Sequence, residues 1–230
     1  MFFKKTKDEL TELEIKFQQS EKRLLNAVKA LAPKHKGGET EEFEAARTEN
    51  LMLQRAVSLA KGEETAISLE WKYPWNTGAP LPHIVSSGYK TFLIYYISEP
   101  DPNWDGTYVT VIDSTSNQML PLALVEFIGC YSMKFGGAND EVLRGHPLWK
   151  KGLEPYQAHE IKNSRWLNEE MKINSVHPYY NEEGWNNRKH YMLLFHDEMF
   201  ECIAEDYTTE ILNDTFESAL IEAQKRMMNR

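Results

Sequence analysis

Two stretches near the start of the chain carry side chains at unbroken steps of three and four, and no other pattern in the sequence is as regular. Leu10, Leu13, Phe17, Ser20, Leu24, Ala27 and Leu31 form the first stripe; Phe43, Ala46, Asn50, Leu53, Val57 and Ala60 form the second. Residues spaced in this way share one face of a helix, as in a coiled-coil seam, and that face has to be covered. Pro33 cannot continue the first helix and Gly37-Gly38 permits a reversal, while Thr40 is a capping residue and Gly62 a stop for the second. The spacing therefore predicts a helical hairpin over residues 8–61. Leu25, Val28, Leu51 and Met52 lie beside the seam and widen it.

Three surfaces can cover such stripes: the chain's own second part, a second copy, or another protein or membrane. Asn50 at a seam position is the kind of residue that fixes register in an assembly. The expected partner is thus a second copy, giving a dimer, or another protein bound through residues 8–61. Phe2 and Phe3 beside Lys4, Lys5 and Lys7 make too short a patch to hold a membrane alone.

Charge and aromatic content both change near residue 65. Residues 1–65 hold 12 Lys and Arg against 12 Asp and Glu, whereas residues 66–230 hold 14 against 23 and carry the whole net charge of -9. All six Trp and all eleven Tyr fall between Trp71 and Tyr207. Two domains are expected, an arm over 1–65 and an acidic, aromatic-rich domain over 66–230. Acidity of this kind repels phosphate backbones, so duplex nucleic acid is not an expected partner. With 41% apolar residues the chain can build a core. Two cysteines do not make a disulfide framework, the first residues lack a secretory apolar stretch, and no run approaches the roughly 18 apolar residues of a membrane span. A cytoplasmic location is expected.

After the arm, β-branched and aromatic runs predict strands at Ile67–Tyr73, Thr91–Ser98, Thr107–Asp113, Leu122–Lys134, Tyr156–Ile161, His190–His196 and Met199–Ala204. Short connections predict two antiparallel hairpins, one closed by the loop Glu99 to Gly106 and one by Asp197-Glu198. A helix is expected from Asn163 or Ser164 to about Ile173, and another at the end, with Phe216, Leu220, Ala223 and Met227 on one stripe. The predicted class is α+β: a helical hairpin, then a mainly antiparallel sheet with helices on one face.

Chemistry is less legible. Asp101, Asn103, Asp105 and Gly106 open like a calcium loop, but its twelfth position is Ile112 where a bidentate Glu is required. No histidine pair has metal-ligand spacing, so no metal and no cofactor are expected. Gly129-Cys130 precedes several histidines, an order compatible with a Cys–His enzyme, although a thiol in an apolar run is more simply a small buried side chain. The stretches from Gly145 to Trp149 and from Asn174 to Trp185 are dense in amphipathic rings. His146, Trp149, His177, Tyr179 and Trp185 are accordingly the candidate binding residues for a small polar ligand or a peptide. The simpler reading is that these rings cover the sheet's edge, with their polar tips bonded to loop backbone.

The expected role is that of an intracellular binding or interaction protein, assembling through the arm and recognising a partner or small polar ligand through the acidic domain. The alternative is a hydrolase or transferase whose site is assembled only in three dimensions. Its candidate residues are His146, His177, His196, Glu201 and Cys130.

Overall fold

In the structure, a computed structural model that describes residues 7–31, 39–88, 90–98, 113–115 and 118–229, the two stripes cover each other. Helix α1 (Lys7–Leu31) and helix α2 (Glu39–Ala60) lie antiparallel. Ser20, Ala27, Ala46 and Val57 are buried along the seam; Leu13, Phe17, Leu24, Phe43 and Leu53 are half-buried, as are Leu10 and Leu31 at its ends. Asn50 meets a polar residue of the opposite stripe: its Nδ2 donates to Ser20 Oγ at 3.0 Å. That bond pins the register of the hairpin itself. Around it, Arg23 holds both Glu42 at 2.8 Å and Glu49 at 2.5 Å, and Lys61 holds Glu14 at 2.8 Å. These exposed pairs contribute little individually, and burial of the seam does more.

By its internal packing the chain divides into two units. The first comprises Met1–Ile67, Pro147–Leu153 and Ile161–Arg165; the second comprises Ser68–His146, Glu154–Glu160 and Trp166–Arg230. The first therefore adds two later segments to the helical pair. Pro147–Leu153 is held by Ala66 N, which donates to Lys151 O at 2.9 Å, and by Gly152 N, which donates to Gln54 Oε1 at 2.8 Å; Ile161–Arg165 is held by Asn163 Nδ2, which donates to Glu63 O at 3.0 Å, and by Arg165 N, which donates to Glu64 Oε1 at 2.8 Å. Arg55 donates from Nε to Ala66 O at 3.0 Å and from Nη2 to Gly152 O at 2.7 Å. Gly152 has φ +90°, and a Cβ there would stand 2.4 Å from Ala66 O and 2.5 Å from Arg55 Cγ. Gly152→Ala is expected to cost roughly 2–3 kcal/mol through backbone strain and overpacking, read as a lower midpoint in urea.

The second unit is built from antiparallel sheets and a C-terminal helix. Following β1 (Thr65–Ser68), the strands are β2 (His83–Ser86), β3 (Thr91–Tyr96), β4 (Leu120–Ile128), β5 (Ser132–Gly136), β6 (Ala158–Lys162), β7 (Lys189–Leu194), β8 (Met199–Ala204) and β9 (Asp206–Asp214). Helices α3 (Arg165–Asn174) and α4 (Glu182–Asn186) lie between β6 and β7, and α5 (Phe216–Met228) closes the chain. One sheet has the order β2-β3-β4-β9, and β6-β7-β8-β5 are neighbours in the other. The chain is α+β, as its pattern predicts.

Alternation along β3 explains the layering. Phe92, Ile94 and Tyr96 share a cluster with Leu122, Leu124 and the Phe216, Ala219 and Ala223 face of α5. Leu93 and Tyr95 point the other way, into a core with Ala123, Val125 and Phe127 of β4, Tyr191 and Leu193 of β7 and Phe200, Cys202 and Ala204 of β8. With both faces covered, β3 is buried at every position and reads as a continuous apolar run.

Several boundaries differ from expectation. The strand expected over Leu122–Lys134 is two strands, because Gly129 takes φ +61° and the chain leaves one sheet for the other. A Cβ on Gly129 would stand 2.8 Å from Glu205 Cδ, and Glu205 N donates to Ile128 O at 2.9 Å, so β8 and β9 cross between sheets beside it. The strand expected at Ile67–Tyr73 ends at Ser68. Trp71 and Tyr73 instead meet Tyr95: Trp71 Nε1 donates to its hydroxyl, which donates to Tyr73 O, both at 2.7 Å. The strand expected from Tyr156 begins at Ala158, because Tyr156 has φ +57°. β2, β9 and α4 are not predicted by the pattern. The loop from Glu99 to Gly106, the calcium-like residues through Ile112 and the strand expected at Thr107–Asp113 lie outside the described residues, Asp113 excepted.

Candidate functional site

The hairpin of β7 and β8 places two histidines in different settings. His196 lies in its turn, where Phe195 N donates to Glu198 O at 2.9 Å, and Asp140 N donates to His196 O at 3.1 Å. That backbone bond draws Asp140, from the segment after β5, to the imidazole: His196 Nδ1 is 3.1 Å from Asp140 Oδ2. Tyr156 completes the corner, its hydroxyl donating to the same Asp140 oxygen in a short bond and lying 3.0 Å from His196 Nδ1. The Tyr156 and His196 rings are nearly parallel, at 15°, with centroids 6.2 Å apart.

The electrostatics of this corner are one-sided. The Tyr156 hydroxyl bond, aided by His196, outweighs partial burial and holds the Asp140 carboxyl below the usual carboxylate range. In turn the bond to Asp140, followed by burial and the carboxylate charge, pushes Tyr156 up to about 12. Asp140 is therefore ionised at neutral pH and Tyr156 is a phenol. An ionised carboxylate against Nδ1 places the proton of a neutral imidazole there, which leaves the lone pair on Nε2. The His196 side chain is 40% exposed, and its Nε2 lies 3.9 Å from Asp197 Oδ1. Such an imidazole can accept a proton from water or a bound hydroxyl, with Asp140 stabilising the imidazolium.

The second histidine is interior. His190 Nε2 lies 2.8 Å from Glu201 Oε2 on the adjacent strand, with side chains only 3% and 12% exposed. Lys134 is in register with Glu201 and sets its ammonium 3.7 Å from the Trp166 ring, whose edge meets His190 at 5.1 Å. Burial pushes the Glu201 carboxyl up, but the His190 bond and the charges of His190, Lys134 and His146 overcome it and leave it below its ordinary value. This pair ties strands together.

The expected binding residues are placed as follows. His177 and Tyr179 come together in the exposed segment after α3, ring centroids 5.8 Å apart, with Tyr179 N donating to His177 Nδ1 at 3.2 Å. Trp185 is buried on α4, where Tyr131 meets it edge-on at 4.8 Å and the Arg188 guanidinium lies 4.5 Å from its ring. His146 is half-buried beyond a single 3-10 turn, and its charge is felt at Glu201. Trp149 belongs to the first unit and the other four to the second. Of the catalytic candidates, Glu201 meets His190, His196 meets Asp140, and Cys130 donates to Ser132 O at 3.8 Å.

Asp140, Tyr156 and His190 are the residues that sequence reasoning passes over. For His190 the signal is only partial: the hairpin closes through four residues, pairing Leu194 with Met199 and setting His190 and Glu201 on one face at diagonal positions, whereas the expected closure on Asp197-Glu198 would set His190 opposite Glu205. Asp140 and Tyr156 are drawn in from distant segments and have no local signature. Among the described residues, no group of three His, Cys, Asp or Glu could hold a metal ion, and no helix is long and apolar enough to cross a membrane. Compared with known proteins, the chain matches no family model, no curated protein and no solved structure.

Proposed function

We propose that the second unit carries an acid–base site with His196 as general base, Asp140 as the group that orients it and stabilises its charge, and Tyr156 as the prop for Asp140. The observation that carries this reading is the bond from His196 Nδ1 to an ionised Asp140, on a side chain that is 40% exposed. Tyr156 adds support, because a non-glycine residue held at φ +57° is costly and such conformations gather at functional sites. The reaction class is proton abstraction from water or a hydroxyl, as in a hydrolase or transferase acting on a small polar substrate. The test is turnover of a panel of carboxylic esters, phosphate esters and amides by the wild type and by His196→Gln. A general base contributes about a hundredfold or more, and Gln keeps the ring's volume and polarity without its basicity. Asp140→Asn should fall with it. Equal rates for the wild type and His196→Gln against every class would refute the site.

A second reading rests on the first unit. After the stripes have covered each other, Ile15, Leu25, Val28 and Met52 remain exposed, and Met52 lines a groove with Lys16, Arg23, Glu49 and Leu53. Large apolar side chains gathered on one helical pair suit a protein interface, and the partner we favour is a second copy of the chain. Leu25→Lys combined with Met52→Lys should then lower the solution mass from dimer to monomer without changing helix content. A wild-type monomer at high concentration would exclude assembly.

A further inference from the structure

His196 lies between two carboxylates. Asp140 Oδ2 stands 3.1 Å from Nδ1, and Asp197 Oδ1 stands 3.9 Å from Nε2, the atom left with the lone pair. Asp140 is taken up by His196 and Tyr156, whereas the Asp197 side chain is 69% exposed and, among the described residues, has an ion pair only with the imidazole. The same two segments contribute Glu141, exposed, and Glu198, half-buried. Among the described residues, none of these four acids pairs with a Lys or Arg. We infer that the substrate of this site carries a positive charge, an ammonium or guanidinium close to the bond that is attacked, and that Asp197 is the residue that selects it. The inference rests on the acid–base reading of His196 and gives that reading a substrate class.

Distance restricts where the charge must be. A group that gives a proton to Nε2 has to come within about 3 Å of it. Asp197 Oδ1 is 3.9 Å from the same atom, so a cation only a few bonds from the reacting oxygen reaches Asp197 while that oxygen reaches Nε2. A phosphate or carboxylate in the same place is repelled. The acids act on a common corner: burial, and then the Asp197 charge, push the Glu198 carboxyl up against the pull of His83 and His196, and Asp197 adds to the rise at Tyr156.

On a carboxylic ester, water gives one proton to Nε2 while its oxygen bonds to the acyl carbon. The acyl–oxygen bond then breaks and the departing alkoxide takes that proton back, so the imidazole ends as it began. Asp197 neither gives nor takes a proton. The cation it holds is unchanged as the bond breaks, so its contribution belongs to binding and appears in KM with kcat little altered.

The test compares three acetate esters on the full chain: acetylcholine, its uncharged carbon isostere dimethylbutyl acetate, and the anion acetoxyacetate. The cationic ester should show a kcat/KM roughly tenfold above the neutral one, and the anionic ester should be the slowest. Asp197→Asn should cancel the preference through KM, Asp197→Glu should keep most of it, and added salt should shrink it in the wild type. A second measurement needs no turnover. At constant pH and ionic strength, the His196 ring signals in proton NMR should shift with choline at about a tenth of the concentration that dimethylbutanol requires, and should not shift with inorganic phosphate. No shift with choline, equal shifts with choline and its isostere, a phosphate response as strong as the choline one, or a preference that survives Asp197→Asn would each overturn the inference. Turnover that is lost in His196→Gln but shows no cation preference refutes this inference and leaves the acid–base site standing. A choline preference at rates that His196→Gln does not change refutes the acid–base site and keeps Asp197 as the cation-selecting residue.

Discussion

Replacing His190 by leucine is expected to destabilise the protein by roughly 3–5 kcal/mol, because it strips a buried carboxylate of its partner. Glu201 pairs with His190 at 2.8 Å at a position only 12% exposed. Lys134 and His146 still act on Glu201, but their influence is smaller than that of the His190 bond. The double variant His190→Leu with Glu201→Leu should be closer to the wild type than His190→Leu is, since no orphaned charge remains. Denaturant melts of the two variants decide this, and a double variant no better than the single would rule out the buried pair as the cause. The pH dependence has a definite sign. Glu201 titrates lower in the folded protein than its ordinary value of 4.5, so its contribution is complete above that value and is lost as pH falls through the lowered folded value. The gap between wild type and double variant should therefore narrow only in acid.

Phe127→Ala is expected to cost about 3–5 kcal/mol, a cavity effect rather than an electrostatic one. Phe127 is fully buried on the inner face of β4, with Phe200 at 5.1 Å, Tyr191 at 5.8 Å and Tyr207 at 6.2 Å between ring centroids. Rings from three other strands meet on it, so truncation leaves a void that no single neighbour can fill. Phe135→Ala is the control: its side chain is on β5 and 46% exposed. A thermal melt should separate the two clearly, and equal losses would show that the core does not lie between the sheets.

Elements with a strong local period are legible in the sequence alone. Both arm helices follow from their stripes, and Asn50 stands out as a register residue, although its partner Ser20 comes from the other helix of the same hairpin. The β7–β8 hairpin follows from two apolar runs around a short polar turn. Where the chain changes sheet the pattern is silent, because Phe127 to Tyr131 stays mostly apolar across the bend at Gly129. β9 is hidden for a different reason: it lies at a sheet edge, only partly covered, and alternates weakly through Thr, Glu, Asn and Asp. The site is half legible. His196 and Glu201 both stand out, but their partners Asp140 and His190 do not, and Tyr156 owes its place to a left-handed backbone conformation that its side chain does not advertise.

The paired crossings at Gly129 and Glu205 also bear on how the molecule folds. β7 and β8 can meet through a four-residue connection, but β4 must wait for β9, which lies far along the chain, before its outer hydrogen bonds are made. Closing a loop of that length is slow, and the pairing gains little until most of its nine registered positions are in place. The arrival of β9 beside β4 is accordingly expected to set the rate of folding, so that a destabilising substitution in β9 should slow refolding in stopped-flow measurements more than it speeds unfolding. Until then β4 presents a bare apolar edge, and this is the stage at which the chain is most exposed to pairing with a neighbour.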